Sequence, residues 1–195
     1  MIYGIVLAAG LGRRAGAPKA LLRLGGETFH RRAVLAFRQA GLEVLVIVNP
    51  EVQGALPEPV PGEIRAVNVD PDQPGGMFAS VRIGLTSAID LGATGAILLP
   101  VDHPRVTGED VRAVADRLRT GAGIVVASHE GRRGHPVGLS GAVMTEIAAD
   151  PSLETLREVV GRDPGRVVEV EGSAGVLEGV NTKEDLELLS RRSFR

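Results

Sequence analysis

Lys19 closes a run that follows directly on a short apolar stretch, Ile2 to Leu7: Leu7-Ala8-Ala9-Gly10-Leu11-Gly12-Arg13-Arg14-Ala15-Gly16-Ala17-Pro18-Lys19. The run holds three glycines, two arginines and one lysine. Free backbone N–H groups beside anchored cations are what a protein needs to hold a polyphosphate. The lysine carries most of this reading. Of the 22 Lys+Arg in the chain only Lys19 and Lys183 are lysines. A compact ammonium therefore stands at the end of a glycine loop in a sequence that otherwise chooses arginine.

Two other glycine loops are excluded by the residues around this one. Gly10-Leu11-Gly12-Arg13-Arg14-Ala15 fits the dinucleotide pattern G-x-G-x-x-G/A, but that pattern needs a helix running on from its second glycine. Gly16 and Pro18 would fall inside that helix, and proline would break it. The acid expected at the end of the second strand is missing too, because Val44–Val48 is followed by Asn49-Pro50. No Gly-Lys-Ser/Thr occurs, so a Walker loop is excluded. The loop is long, non-helical and closed by Lys19.

Four further places offer chemistry. Asp102 ends the apolar run Leu98-Leu99-Pro100-Val101, and a carboxylate at a strand mouth suits Mg²⁺, which takes oxygen ligands and keeps several waters. The alternative is an aspartate that shapes the turn before Pro104. Asn181, in Val180-Asn181-Thr182-Lys183-Glu184-Asp185, offers a second oxygen to that ion; the alternative is a turn residue ahead of a Thr182/Asp185 capping box. Gly75-Gly76-Met77-Phe78-Ala79-Ser80 opens a helix whose free N–H groups and Ser80 hydroxyl suit the polar edge of a nucleotide. Ordinary helix initiation is the alternative. His135, in Gly134-His135-Pro136 after the turn Glu130-Gly131-Arg132-Arg133, reads as a loop residue able to touch an anionic acceptor. His103 and His135 are not at metal-ligand spacing, and no zinc site follows from them.

The elements that must position these residues alternate between strand and helix. Ile2–Ala8 reads as a strand buried on both faces. Thr28 caps a helix to Ala40, ended by Gly41, with Phe29, Ala33, Phe37 and Ala40 on one face. Val44–Val48 is a strand, Glu51–Gly62 a proline-rich surface loop, and Ile64–Val69 a weaker strand. A helix follows with Phe78, Val81, Leu85 and Ala88 aligned. Ala96–Val101 is a strand, and Thr107–Leu118 a helix opened by a Thr107/Asp110 capping box. Ile124–Ala127 is a strand, Ala142–Gly161 helical with a break at Asp150-Pro151, Arg166–Val170 and Val176–Val180 short strands, and Thr182–Leu189 a last helix. This pattern predicts one domain over residues 1–195. Its fold class is α/β, in three layers α/β/α with a mostly parallel sheet. Ligands bind such folds beyond the C-terminal strand ends, where the loops after Leu7, Val69, Val101 and Val180 converge.

Composition narrows the function. Hydrophobic residues make up 44% of the 195 residues but aromatics only 3%, so the core is Leu, Val, Ile and Ala. A net charge of −2 argues against a nucleic-acid surface, and the absence of Trp with one Tyr argues against base stacking. The absence of Cys removes thiolate chemistry. No run is long enough to span a bilayer and the N-terminus has no charged n-region, which predicts a cytoplasmic protein with no membrane association.

Taken in order, these motifs resemble one family. Leu7-Ala8-Ala9-Gly10 with Arg14, Gly16 and Lys19 resembles the L-A-A-G-x-S-x-R-M-G-x-x-K opening of MobA-like nucleotidyltransferases, with the molybdenum cofactor cytidylyltransferases as the nearest branch. The resemblance continues through Gly76-Met77 with Ser80 and Gly84-Leu85, Val101-Asp102-His103-Pro104, Gly134-His135-Pro136-Val137 and Val180-Asn181-Thr182. It implies a Rossmann-like nucleotidyltransferase fold and Mg²⁺-dependent transfer of a nucleotidyl group from an NTP. Leu7, the Ala8–Gly10 backbone, Gly12, Gly76 and Ser80 would line the nucleotide. Arg14 and Lys19 would serve the triphosphate, and Asp102 and Asn181 the metal. Ala-Ala-Gly in place of the guanylyl branch's Ala-Gly-Gly favours CTP. Gly12 replaces the usual Ser and Ala15 the usual Met. The stretch Ala149-Asp150-Pro151-Ser152-Leu153-Glu154-Thr155-Leu156-Arg157 departs from the Gly-Asp-x-Gly-Ala-Arg-like segment of the cytidylyl branch.

The reaction so implied is attack of an acceptor phosphate oxygen on the α-phosphorus, with pyrophosphate leaving. Such transfer needs positioning and charge stabilisation rather than a side-chain nucleophile. The acceptor is a phosphorylated small molecule, by resemblance molybdopterin, with a molybdoenzyme as a possible partner. A sugar-phosphate acceptor is the alternative within the enzyme class. A non-catalytic nucleotide sensor is the alternative outside it, and the presence of both Lys19 and Asp102 argues against that.

Overall fold

The computed structural model describes residues 1–12, 15–67 and 76–192. In chain order its strands and helices are β1 (Ile2–Leu7), β2 (Arg23–Leu24), β3 (Glu27–Thr28), α1 (Phe29–Gln39), β4 (Glu43–Val48), α2 (Pro50–Ala55), β5 (Glu63–Val67), α3 (Gly76–Asp90), β6 (Gly95–Pro100), α4 (Gly108–Arg119), β7 (Ile124–His129), β8 (Arg132–Ser140), α5 (Gly141–Ala149), α6 (Leu156–Arg162), β9 (Val167–Glu171) and α7 (Lys183–Arg192). A seven-stranded sheet runs β5-β4-β1-β6-β8-β7-β9, and β2–β3 form a small separate ribbon. Every neighbour pairing in the large sheet is parallel except those of β8, which is antiparallel to both β6 and β7.

The central strands are apolar on both faces because helices cover both. Residues 5–7 of β1 and all of β6 are buried. On one face, Phe29, Ala33 and Phe37 of α1 and Val111, Val114 and Ala115 of α4 pack with Val6, Val46 and Leu99. On the other, Phe78, Val81 and Leu85 of α3 and Val143, Met144 and Ile147 of α5 pack with Ile5, Ile47 and Leu98. Gly84 sets how closely α3 approaches the sheet, since a methyl there would lie 2.7 Å from Ile5 Cγ2. These layers are the α/β/α sandwich that the alternating pattern predicts.

Local start signals act where expected. Thr28 Oγ1 accepts from the Arg31 N–H, and Thr107 and Asp110 form a reciprocal capping box. Three expectations are corrected. The stretch after Val48 is not all loop: Asn49 caps the short helix α2, its Oδ1 accepting from the Val52 N–H, with Pro50 at a first-turn position that tolerates it. Val176–Val180 is not a strand. Ala174–Leu177 winds into a 3₁₀ turn that buries Val176 and sets its carbonyl close against Gly134 of β8. Gly134-His135-Pro136 is not a loop but the middle of β8. Its pairing to β7 is irregular between Val126 and Ser128, which accommodates a proline without a backbone N–H. The predicted strand Ile64–Val69 is seen as β5 up to Val67; Asn68, Val69 and the run to Gly75 lie outside the described residues.

No helix among the described residues is long and apolar enough to cross a membrane.

Candidate active site

The glycine loop leaves β1 at the C-terminal edge of the sheet. Gly12 takes φ +60°, a left-handed conformation open to glycine, and its carbonyl accepts from the Ala15 and Gly16 N–H groups at 2.8 and 3.0 Å. A side chain at Gly12 would strike the Ala17 carbonyl, which explains why this loop has glycine there. Pro18 precedes a 3₁₀ turn, Lys19–Leu21, that sends the Lys19 side chain back across the strand ends. The start of the loop is pinned from β4. Asn49, 1% exposed, donates from Nδ2 to the Ala9 carbonyl at 2.7 Å while it caps α2. Sequence reasoning noticed Asn49 only as the place where an acid was missing. Its tether explains the choice, since an amide can donate to Ala9 and a carboxylate cannot. Asn49→Ala is expected to destabilise the fold by about 2 kcal/mol, through one lost cap and one orphaned buried carbonyl. Urea unfolding of the two proteins measures this.

Three of the predicted residues meet at one point. Lys19 Nζ donates to Asp102 Oδ2 and to Asn181 Oδ1, each at 2.7 Å. Those two oxygens are therefore no further apart than twice that distance. Asp102 lies two residues beyond the end of β6, and the Asn181 turn is tied to it by the Val180 N–H donating to the Asp102 carbonyl at 2.8 Å. The Asp185 carboxylate accepts from the Asn181 and Thr182 N–H groups, and Thr182 Oγ1 accepts from the Asp185 N–H. The turn reading of Asn181 is seen, since its backbone belongs to a capped turn, and its side chain adds a contact to Lys19.

His103 completes the cluster, its Nδ1 donating to Asp102 Oδ1 at 3.0 Å. Burial pushes the Asp102 carboxyl up, but the hydrogen bonds from His103 and Lys19 outweigh it and hold the group at about 2. Asp102 is ionised at any neutral pH. A carboxylate and an amide oxygen converging on one cation, here the Lys19 ammonium, also fit a hard divalent ion that keeps most of its waters. Among the described residues no group of three or more His, Asp and Glu forms an alternative metal site.

A cleft of about 190 Å³ opens beside this cluster. Its walls include Leu7, Ala9, Gly10 and Gly12 from the loop, Gly76 and Ser80 from the first turns of α3, and Lys19 and Asp102. Ala8 is buried behind it, 0% exposed. Arg14, expected beside the triphosphate, lies outside the described residues. His135 is brought near the cluster, though from strand β8 rather than from a loop. Its ring stands edge-on to His103 at 4.6 Å between centroids. The site also holds a residue that sequence reasoning left aside. A methyl on Gly16 would lie 2.7 Å from Lys183 Cε, so both lysines of the chain reach the glycine loop. The two-lysine count was the signal available for it.

A mostly parallel sheet with its glycine loop and charged cluster at the C-terminal strand ends is the architecture of the Rossmann-like α/β class. Within that class the chain belongs to the MobA-like NTP transferase domain family, whose model matches residues 4–167. It is 36% identical over 132 residues to a probable molybdenum cofactor guanylyltransferase of Opitutus terrae, a match covering 67% of this chain and 62% of that protein. The chain spans about three fifths of the length of the first curated relatives it matches. Among solved structures, Rv0371c from Mycobacterium tuberculosis H37Rv is 28% identical, covers 97% of each chain and superposes with a TM-score of 0.78. Its complex with manganese matches with a TM-score of 0.74, at 28% identity over 97% of this chain and 98% of that one.

The relatives' names run against the CTP expectation, since these curated relatives are called guanylyltransferases. The site supplies a physical reason why Ala8-Ala9-Gly10 is a poor guide to the base. The two alanine side chains are 0% and 4% exposed, so they are chosen by packing, and little beyond backbone faces the cleft.

Proposed function

We propose that this chain is a nucleotidyltransferase that moves GMP from GTP onto the phosphate of a molybdopterin-type acceptor. The new bond joins an acceptor phosphate oxygen to the α-phosphorus; the bond between that phosphorus and the bridging oxygen breaks, and pyrophosphate leaves. One observation carries the reading: Lys19, Asp102 and Asn181 converge at 2.7 Å contacts beside a cleft walled by loop backbone, Gly76 and Ser80. The names of the curated relatives support the choice of guanine and of acceptor.

In this reading the loop N–H groups and Lys19 hold the triphosphate, and Lys19 steadies charge on the leaving pyrophosphate. Asp102 and Asn181 are the residues that hold a divalent ion, Mg²⁺ or Mn²⁺. When bound, that ion supplies a fixed positive charge against the phosphates. His103 keeps the Asp102 carboxylate turned so that Oδ2 faces the site. Ser80 and the Gly76 backbone stand at the base end. A molybdoenzyme that receives the product belongs to the same reading.

Pyrophosphate release tests the proposal with each of the four NTPs and Mg²⁺, with and without molybdopterin. The expected result is acceptor-dependent release with GTP at least about tenfold faster than with CTP, a difference of about 1.4 kcal/mol in transition-state binding. Faster release with CTP replaces the nucleotide and keeps the reaction. Release with a sugar phosphate and not with molybdopterin replaces the acceptor. Tight nucleotide binding with no release under any condition supports the sensor reading instead.

A further inference from the structure

The proposed transfer leaves Lys183 without a task, although its side chain crosses the glycine loop. Lys183 opens α7, two residues beyond Asn181. Its stem lies on Gly16: a methyl built there would stand 2.7 Å from Lys183 Cε and 3.3 Å from its Nζ. Gly16 is exposed and takes φ +82°, so the turn of the loop presents bare backbone to the lysine. The Lys183 ammonium makes no hydrogen bond or ion pair among the described residues. The acids that follow it on α7 are engaged or turned away. Asp185 accepts from the Asn181 and Thr182 N–H groups, and Glu187, one helical turn on, pairs with Arg191. Glu184 is the next residue and does not share the face of Lys183.

Helix stability does not explain this placement. A cation in the first turn of a helix opposes the macrodipole, which favours acids there. Glu184 and Asp185 fill the first turn of α7 as the dipole asks, and Lys183 stands beside them as the exception. Packing does not explain it either, because the side chain is exposed. What the position does supply is an unpaired point charge held close to the loop, and an ammonium of this kind suits a phosphate. The cleft shows which phosphate remains to be met. Gly76 and Ser80 stand at its base end, and Lys19 sits on Asp102 and Asn181. Gly10, Gly12 and Lys19 line the cleft, whereas Gly16 and Lys183 stand outside its walls. A nucleotide with its base at Ser80 and its α-phosphate at the Asp102 cluster still has its outer phosphates to place. The Gly16 turn, with Lys183 across it, is the adjoining part of the same loop.

We propose that Lys183 holds the outermost phosphate of the nucleotide and so selects triphosphates over diphosphates. This rests on the proposed nucleotidyl transfer and names the residue that reads the length of the phosphate chain. The two lysines then have separate tasks. Lys19 meets the charge that grows at the bond that breaks, while Lys183 meets the far end of the pyrophosphate before and after that bond breaks. Removing Lys183 therefore weakens recognition of the γ-phosphate and leaves the rest of the nucleotide's contacts in place. Gly16 belongs to the same device, since a side chain there would strike the lysine stem that crosses it.

The test measures affinity by calorimetry without added metal, for GDP and GTP and for CDP and CTP, so the choice of base does not bear on the result. The parent protein is expected to bind the triphosphate of its preferred base at least about tenfold more tightly than the diphosphate, the size of one charge-assisted hydrogen bond. Lys183→Met keeps the stem over Gly16 and removes the charge. In this variant triphosphate affinity is expected to fall at least about tenfold while diphosphate affinity stays within about twofold. Its melting temperature is expected to stay level or rise slightly, because a charge that opposes the helix dipole is gone. Equal losses for diphosphate and triphosphate, or no loss, overturn the role of Lys183. So does a parent protein that shows no preference for the triphosphate. The transfer reading fails separately: a parent protein with the expected affinities that releases no pyrophosphate in the presence of molybdopterin keeps the role of Lys183 and loses the reaction.

Discussion

Asp102→Ala is expected to lower pyrophosphate release to the background rate while leaving the protein folded. Asp102 is the charged oxygen of the cluster, ionised because its hydrogen bonds from His103 and Lys19 outweigh the burial that opposes its charge. Its side chain is only 19% exposed, so a cation bound to it is poorly screened by water. Among the described residues no group of three or more His, Asp and Glu is arranged to take over a metal. Asp102→Asn separates shape from charge, since the amide still meets a donor but no longer attracts a cation. Activity within about tenfold of the parent in Asp102→Asn would mean that the carboxylate charge is not what the reaction uses. Asn181→Ala is expected to cost less, because a water can replace a neutral carbonyl oxygen at a hard ion.

Lys19→Ala is expected to act in two opposite directions. Turnover should fall by roughly 10²–10³-fold, the size of effect seen when a single stabilising donor is removed from a transition state. Metal binding to the nucleotide-free protein should become tighter, by at least about tenfold. The ammonium sits on both oxygens that a divalent ion would use, at 2.7 Å from each, so an incoming cation must displace a like charge from its own ligands. Only when phosphates draw Lys19 away is that competition relieved. Titration with Mn²⁺ followed by electron paramagnetic resonance reads this without any turnover. Unchanged or weaker Mn²⁺ binding in Lys19→Ala would place the metal away from the Asp102–Asn181 pair.

Much of the fold was legible in local pattern. Apolar runs of strand length, the Thr28 and Thr107 caps and the glycine after Ala40 each act within one or two turns of chain, where propensity and hydrogen bonding are set by near neighbours. The two capping boxes were visible as residue spacings and appear as reciprocal hydrogen bonds. The reading failed where the decision was not local. Arg132–Ser140 contains a Gly-x-Pro that reads as a turn, yet it fills the slot between β6 and β7, since both leave an edge that must be paired. Val176–Val180 has the residues of a strand, yet Val176 is buried in a 3₁₀ turn whose backbone lies against Gly134 of β8.

The same division holds for the site. By itself the sequence determined which residue types were available: a lysine after a glycine loop, a carboxylate ending an apolar strand, and an asparagine ahead of a capped helix. It also pointed to their common face, because parallel strands put their C-terminal ends together. Only the tertiary structure decided that Lys19 lies between Asp102 and Asn181, on the two oxygens proposed here for a metal. It alone showed that Asn49 pins the loop and that His135 comes from a strand. These depend on strand order and on the crossing of side chains from segments far apart in sequence. That information resides in the packing of the whole sheet, and no window of local periodicity contains it.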